Sequence, residues 1–225
     1  MKLSILSLFA ISLFMTSCIG DDVIDDKVPE AVRILNPLDT LGVGETYQFE
    51  AMFTNQIGVE EERPVIWETS DPAVITIDND GLAAALAKGN ATISATVDID
   101  GVNTVREENE VVVDEETVVT ELTKSGTIRT TSSYNLGGDF IVEEENGSLV
   151  ITIADNYEAS TALPGLYVYL SNNPNTISSA FEISRVDVFD GAHSYQIDGI
   201  GINDYQYLLY WCKPFNVKVG DGLIE

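Results

Sequence analysis

Hydrophobic and polar residues alternate in short runs along most of the chain. The run TYQFEAMF at residues 46–53 is an example, with an apolar set two residues apart. That set is Tyr47, Phe49, Ala51 and Phe53, and a period of two is typical of a half-buried β-strand. Comparable runs rich in Val, Ile, Thr and Tyr recur as far as residue 223, separated by Gly, Asn, Asp and Pro. The pattern predicts an all-β protein.

The predicted strands fall into two groups. Six or seven short strands in residues 30–114 favour a β-sandwich. About eight more in residues 117–225 favour a second β-sandwich or barrel-like domain. The acidic hinge DEET at 114–117 separates the two groups. The acidic insert NQIGVEEERP, residues 55–64, interrupts the first group, and we expect it to be exposed to solvent.

A leader precedes the first group of strands. Lys2 is followed by the apolar stretch Leu3–Met15, which is shorter than the roughly 20 residues that span a bilayer. Residues 1–17 are therefore predicted to be a secretory signal peptide. The sequence MTSC that ends at Cys18 resembles the bacterial lipobox. This resemblance implies a bacterial lipoprotein whose Cys18 carries acyl chains such as palmitate.

Residues 18–29 are predicted to be an acidic tether. Asp21, Asp22, Asp25 and Asp26 crowd the first positions after Cys18, and such charge runs are normally solvated. The run also resembles the acidic export signal of bacterial surface lipoproteins. We therefore expect an outer-membrane lipoprotein of the bacterial cell envelope. Whether it faces the cell surface or the periplasm stays open.

The composition narrows the possible partners and chemistry. Eleven basic residues face 37 acidic ones, which gives a net charge of −26. This balance argues against nucleic acid, because phosphate binding needs clustered Lys and Arg. It leaves basic partners and divalent cations open. One histidine cannot supply the usual metal clusters, and no catalytic motif is found, so neither a metal site nor an enzyme is predicted.

Three elements of the first group carry a family resemblance. They are W-x-x-S-D-P from Trp67, D-x-x-G-L from Asp78 and A-x-G-x-A-x-I from Ala87. Together they make residues 30–114 similar to the bacterial Ig-like domain, group two. The resemblance implies an Ig-like sandwich that serves as a spacer or adhesion module, without catalytic residues.

The second group resembles another family, the electron-transfer DM-thirteen domain. The elements that carry this resemblance are L-x-V-Y-L at Leu166–Leu170, a G-x-x-x-Y element at Gly191–Tyr195 and the closing W-C-x-x-F-x-V-x-x-G at Trp211–Gly220. The resemblance covers nearly all of residues 117–225. It implies a redox or cofactor role through Cys212, with haem as one possible cofactor.

Cys212 is the candidate functional residue, and Tyr210, Trp211 and His193 are possible supporting residues. The strand YQYLLYWC at 205–212 has two apolar faces. One face consists of Tyr207, Leu209 and Trp211, and the other of Leu208, Tyr210 and Cys212. The strand is therefore expected to be central, with the thiol at least partly buried near its end. His193 replaces the glutamine usual in the DM-thirteen family, which puts any role of that side chain in doubt.

Two classes of function follow from these observations. In the first, a lipid-anchored envelope protein presents its C-terminal β-domain on an Ig-like spacer, and Cys212 serves electron transfer or haem binding. In the second, the protein is a non-catalytic surface adhesion module that binds a glycan or a protein, and Cys212 is a small buried hydrophobe. A disulfide between Cys212 and a partner protein is a third use of the thiol.

Overall fold

The computed structural model describes residues 26–119 and 122–225. The predicted signal peptide, Cys18 and most of the acidic tether lie outside the described residues. Within those ranges the chain forms eighteen β-strands and one short 3-10 helix, Lys213–Phe215, and contains no α-helix. The predicted all-β class is confirmed. No helix in the described ranges has the length and apolar character needed to cross a bilayer.

Nine strands, which we call the first domain, pack around one core. They are β1 (Ala31–Ile34), β2 (Thr40–Gly42), β3 (Thr46–Gln48), β4 (Ala51–Thr54), β5 (Ile66–Thr69), β6 (Ile75–Ile77), β7 (Leu82–Ala85), β8 (Gly89–Asp98) and β9 (Thr104–Asp114). Their sheets have the orders β1-β4, β2-β9-β8-β5 and β3-β7-β6. Inward side chains of these sheets form a single buried cluster, as in an Ig-like sandwich.

The strand predicted over residues 46–53 is two strands in the structure. At the break, the Phe49 N–H donates to the carbonyl of Gly81 at 2.9 Å, so β3 pairs with β7 while β4 pairs with β1. Phe49 and Phe53 reach the core as predicted. The alternation places Met52 on the opposite, more polar face with Thr46, Gln48 and Glu50, but Met52 is buried at 8 % exposure. The reason is that Met52 lines a cleft between the two domains.

The remaining nine strands, which we call the second domain, form one continuous sheet. They are β10 (Thr123–Thr130), β11 (Leu136–Glu145), β12 (Ser148–Ile153), β13 (Glu158–Ala159), β14 (Leu166–Ser171), β15 (Phe181–Arg185), β16 (His193–Asp198), β17 (Tyr207–Cys212) and β18 (Val217–Leu223). The order is β15-β14-β17-β18-β10-β11-β12-β16, and β13 also pairs with β11. Side chains from both ends of this order share one core. The sheet is therefore curved and barrel-like, which confirms the predicted second β-domain.

Turn chemistry fixes the register of the central hairpin. Asn146 and Gly147 connect β11 to β12 with φ values of 53° and 80°, the left-handed conformation that a two-residue hairpin turn requires. Glu145 therefore pairs with Ser148, and the pairing continues to Phe140 with Ile153. An Asn-Gly pair between two alternating runs is itself a strong signal for a hairpin turn in a sequence.

Candidate functional site

The strand that carries Cys212 is buried on both faces. β17 lies between β14 and β18, so it has no free edge. Leu208, Tyr210 and Cys212 point into the main core of the second domain. Leu209 and Trp211 point to the opposite side and pack with Tyr169. The predicted central strand and its two faces are confirmed.

The Cys212 thiol is enclosed by the core. The side chain is only 1 % exposed, and the residue pairs with Leu166 on one side and Val217 on the other. The chain then turns at Pro214, whose ring packs closely on Gly165. A Cβ added to Gly165 would lie 2.7 Å from this ring. A haem macrocycle would have to displace these packed side chains. The residues around Cys212 therefore do not fit haem.

Lys213 is the cation next to the thiol in sequence, but its charge is used elsewhere. Its ammonium lies 2.6 Å from the carboxylate of Glu182 and 4.8 Å from the ring centre of Tyr167. The hydrogen bond to Glu182 raises the pKa of Lys213 and lowers that of Glu182. A thiolate at Cys212 would therefore have to compete with Glu182 for this charge.

Trp211 and Cys212 lie on opposite sides of the sheet. The Trp211 indole Nε1–H donates to Asn216 Oδ1 at 3.1 Å, and the ring packs with Tyr169 and Leu209. Asn216 adopts a left-handed backbone, with φ of 50°, where the chain leaves the 3-10 helix. The indole of Trp211 thus contacts the turn after β17, on the side of the sheet opposite the Cys212 thiol.

Tyr157, which the sequence did not single out, lies between His193 and Tyr210. His193 lies on β16, at the far end of the sheet order from β17. Its ring is 4.9 Å from that of Tyr157, and Tyr157 is 6.1 Å from Tyr210. The two imidazole nitrogens lie 3.1 Å from the Gly191 carbonyl and 3.2 Å from the Tyr195 hydroxyl. Ligation of iron by His193 would break one of these contacts.

Burial dominates the ionisation of the three phenols packed around His193, which are Tyr157, Tyr195 and Tyr210. Desolvation raises the pKa of Tyr157 and that of the fully buried Tyr210 well above the ordinary range. Desolvation, helped by the charge of Asp187, raises the pKa of Tyr195 to about 12. The three phenols therefore stay protonated at physiological pH. In the described residues, no group of three or more His, Cys, Asp or Glu side chains could hold a metal ion.

A second feature of functional interest is the domain interface, which centres on Arg33 of β1. The guanidinium Nη2 donates to Asn172 Oδ1 and to the Asp204 carbonyl, each at 3.0 Å. Arg33 is only 9 % exposed, and Asn172 and Asp204 belong to the second domain. Asn203 of the same loop donates its side-chain N–H to the Leu35 carbonyl at 2.9 Å. The first domain is thus hydrogen-bonded to two loops of the second.

Half-buried charges surround Arg33. Glu107 of β9 accepts a hydrogen bond from the Ile34 N–H, and desolvation raises the pKa of this carboxyl although Arg33 and Lys124 oppose the shift. Desolvation lowers the pKa of Arg33 and that of Lys124, which belongs to the second domain. Charges from both domains are therefore partly withdrawn from water at the interface.

The insert at residues 55–64 contacts the second domain through Gly58, so the expectation that the insert is exposed to solvent is wrong for this residue, whereas its other residues are exposed or half-buried. Gly58 is buried, with φ of 74°, and a Cβ there would lie 2.8 Å from the Asn173 side chain. The Ile57 carbonyl accepts a hydrogen bond of 3.0 Å from Asn173 Nδ2. The sequence showed an acidic loop with a glycine, but nothing in it marked that glycine as a contact.

Comparison with known proteins identifies part of the chain. No curated protein matches it. Residues 30–108 match the family model of the bacterial Ig-like domain, group 2, which confirms the resemblance drawn from the Trp67, Asp78 and Ala87 elements. The similarity to the DM-thirteen family and the lipoprotein assignment stay predictions. Residues 30–108 are therefore similar to the bacterial Ig-like domain of group 2.

Proposed function

We propose that the protein is a lipid-anchored, non-catalytic binding module of the bacterial cell envelope. Acyl chains on Cys18 hold it at the outer membrane, the acidic tether leads away from the lipid, and the Ig-like domain carries the second domain outward. This proposal joins the family match of residues 30–108 to the predicted lipobox. A protein that displays a binding surface in this way needs no catalytic group.

The observation that carries the proposal is the domain interface. A spacer presents a second domain in a defined direction only if the two domains are fixed to each other. The hydrogen bonds of Arg33 and the close contact of Gly58 with Asn173 provide such a connection. They are side-chain and backbone contacts beyond the covalent linker.

In this proposal Cys212 is structural. Its side chain has 1 % exposure and shares the main core with Tyr210 and Leu208, as free cysteines in packed interiors commonly do. A redox role through an accessible thiolate is the competing hypothesis, and it requires that a reagent or partner reaches the sulfur atom in the folded protein.

Thiol titration of the full chain separates these two roles. In the variant Cys18→Ser, Cys212 is the remaining cysteine, and we expect no reaction with a thiol reagent in the native state and one equivalent after denaturation. Rapid native reaction would support the redox role instead. The same variant tests the anchor: wild type is expected in the detergent phase and Cys18→Ser in the aqueous phase. Identical partitioning would contradict lipidation at Cys18.

A further inference from the structure

The two domains enclose a cleft that no motif in the sequence indicated. Its cavity volume is about 450 Å³, within the range typical of small-ligand sites, and such sites are frequent at domain boundaries. Met52, Val59 and Glu60 line it from the first domain, and Ser179, Asp204 and Tyr205 line it from the second. The hydrogen bonds of Arg33 to Asn172 and Asp204 connect the two domains beside the cleft. The cleft therefore exists only in the assembled two-domain protein.

The charge of the cleft is negative. Glu60 and Asp204 reach it from different domains, and none of the described side chains that line it is basic. Burial, followed by the charges of Asp204 and Glu60, raises the pKa of Tyr205, and all three residues line the cleft. Arg33 is buried and partly offsets Asp204. Glu60 is exposed and has no ion pair among the described residues.

The remaining walls combine an aromatic ring, apolar side chains and an unused polar atom. The Tyr205 ring lies beside that of Phe181, with 6.5 Å between the ring centres, and Met52 and Val59 add apolar surface. The Ser179 Oγ is buried and has no hydrogen-bond partner among the described residues. A buried hydroxyl without a partner is costly unless an incoming group bonds to it.

We propose that this cleft binds a lysine or arginine side chain presented by a protein partner. Carboxylates from both domains attract the cation, and the Tyr205 ring offers a face for a cation–π contact. The Ser179 hydroxyl belongs to a wall residue and can accept one of its N–H donors once this part of the wall opens. The net charge of −26 draws basic partners toward the protein from a distance. This proposal rests on the binding-module function and adds to it the site and the chemistry of the partner.

The first test is a peptide titration of the full chain carrying Cys18→Ser. The probe is a short peptide, otherwise neutral, with a single lysine, and binding is followed through NMR shifts of backbone amides. We expect shifts at Glu60, Ser179 and Tyr205. Because Glu60 is exposed, we expect Glu60→Gln to weaken binding by roughly fivefold or less, and Tyr205→Leu to weaken it as well.

Glu62→Gln is the matched control. It removes the same charge from the same insert, but Glu62 does not line the cleft, so we expect unchanged binding. An equal loss of peptide affinity in Glu60→Gln and Glu62→Gln would show that the overall negative charge attracts the peptide, and it would overturn the proposal. Equal binding of a peptide with acetylated lysine would also overturn it and point to a neutral ligand such as a saccharide. Absence of binding would reject this site, while the thiol titration would still decide the role of Cys212.

Discussion

At the scale of single residues, burial determines the chemistry of the second domain more than residue type does. Tyr210 and Cys212 share one core face, and His193 has both ring nitrogens engaged. Residues that look reactive in a sequence are here packing or hydrogen-bonded groups. Tyr195 is different, since it is only partly buried, and its ionisation is open to measurement.

We predict that the protein loses stability as the pH rises from 10 toward 12. Folding raises the pKa of Tyr195 from 10.0 to about 12, so in this interval the unfolded chain releases a proton that the folded chain retains. Stability from this group is therefore complete below pH 10 and decreases above it, by at most about 2 kcal/mol. Urea unfolding followed over this pH range measures the loss.

The variant Tyr195→Phe serves as the control for this pH dependence. It removes one titrating hydroxyl while the ring remains, so its stability should fall less steeply above pH 10 than that of wild type. Equal slopes for the two proteins would show that Tyr195 does not retain its proton on folding.

At the scale of elements, the second domain depends on close approach between strands. A Cβ on Gly126 of β10 would lie 2.1 Å from the Leu223 carbonyl oxygen and 2.4 Å from the Phe140 ring. The Leu223 oxygen is a backbone atom, which cannot move aside as the end of a flexible side chain can. A glycine at this position therefore lets β18 and the Phe140 ring pack against β10, which helps the sheet to curve around its core.

We predict that Gly126→Ala destabilises the protein by about 1–3 kcal/mol, because the added methyl overpacks this contact. The measurement is the midpoint of urea unfolding. Gly137→Ala is the matched control in the neighbouring strand β11, since its Cβ would meet only the Ile128 carbonyl at 3.8 Å. It should be nearly neutral, and an equal loss in both variants would contradict the packing argument.

At the scale of the whole molecule, the domain interface decides whether the protein acts as one body. Arg33, Asn172 and Asp204 form its polar centre. Gly58 brings the insert against the second domain. These contacts also form the cleft near Tyr205, so the direction of display and the proposed binding site depend on the same interface.

We predict that Arg33→Ala uncouples the domains. It removes hydrogen bonds from a charged donor, each contributing about 1.5–3 kcal/mol, and leaves Lys124 as the remaining cation near Glu107. Calorimetry should show one unfolding transition for wild type and two, the first at lower temperature, for the variant. Arg106→Ala is the control, because its ion pairs with Glu68 and Glu108 are exposed and lie within the first domain. Two transitions in wild type would contradict a coupled interface.

The sequence by itself determined the strand content, the two faces of β17 and the Asn146–Gly147 turn. It did so because alternation and turn preferences depend on residues close together in the chain. It also marked the first domain as Ig-like through the elements at Trp67, Asp78 and Ala87.

Only the tertiary structure decided which candidate residues meet. It placed Trp211 against Tyr169 and linked His193 to Tyr210 through Tyr157. It also joined Arg33 to Asn172, 139 residues apart, and formed the cleft at Tyr205. The physical reason is that such contacts depend on how the sheets of the two domains and the insert at residues 55–64 lie in space, and no local pattern records that arrangement.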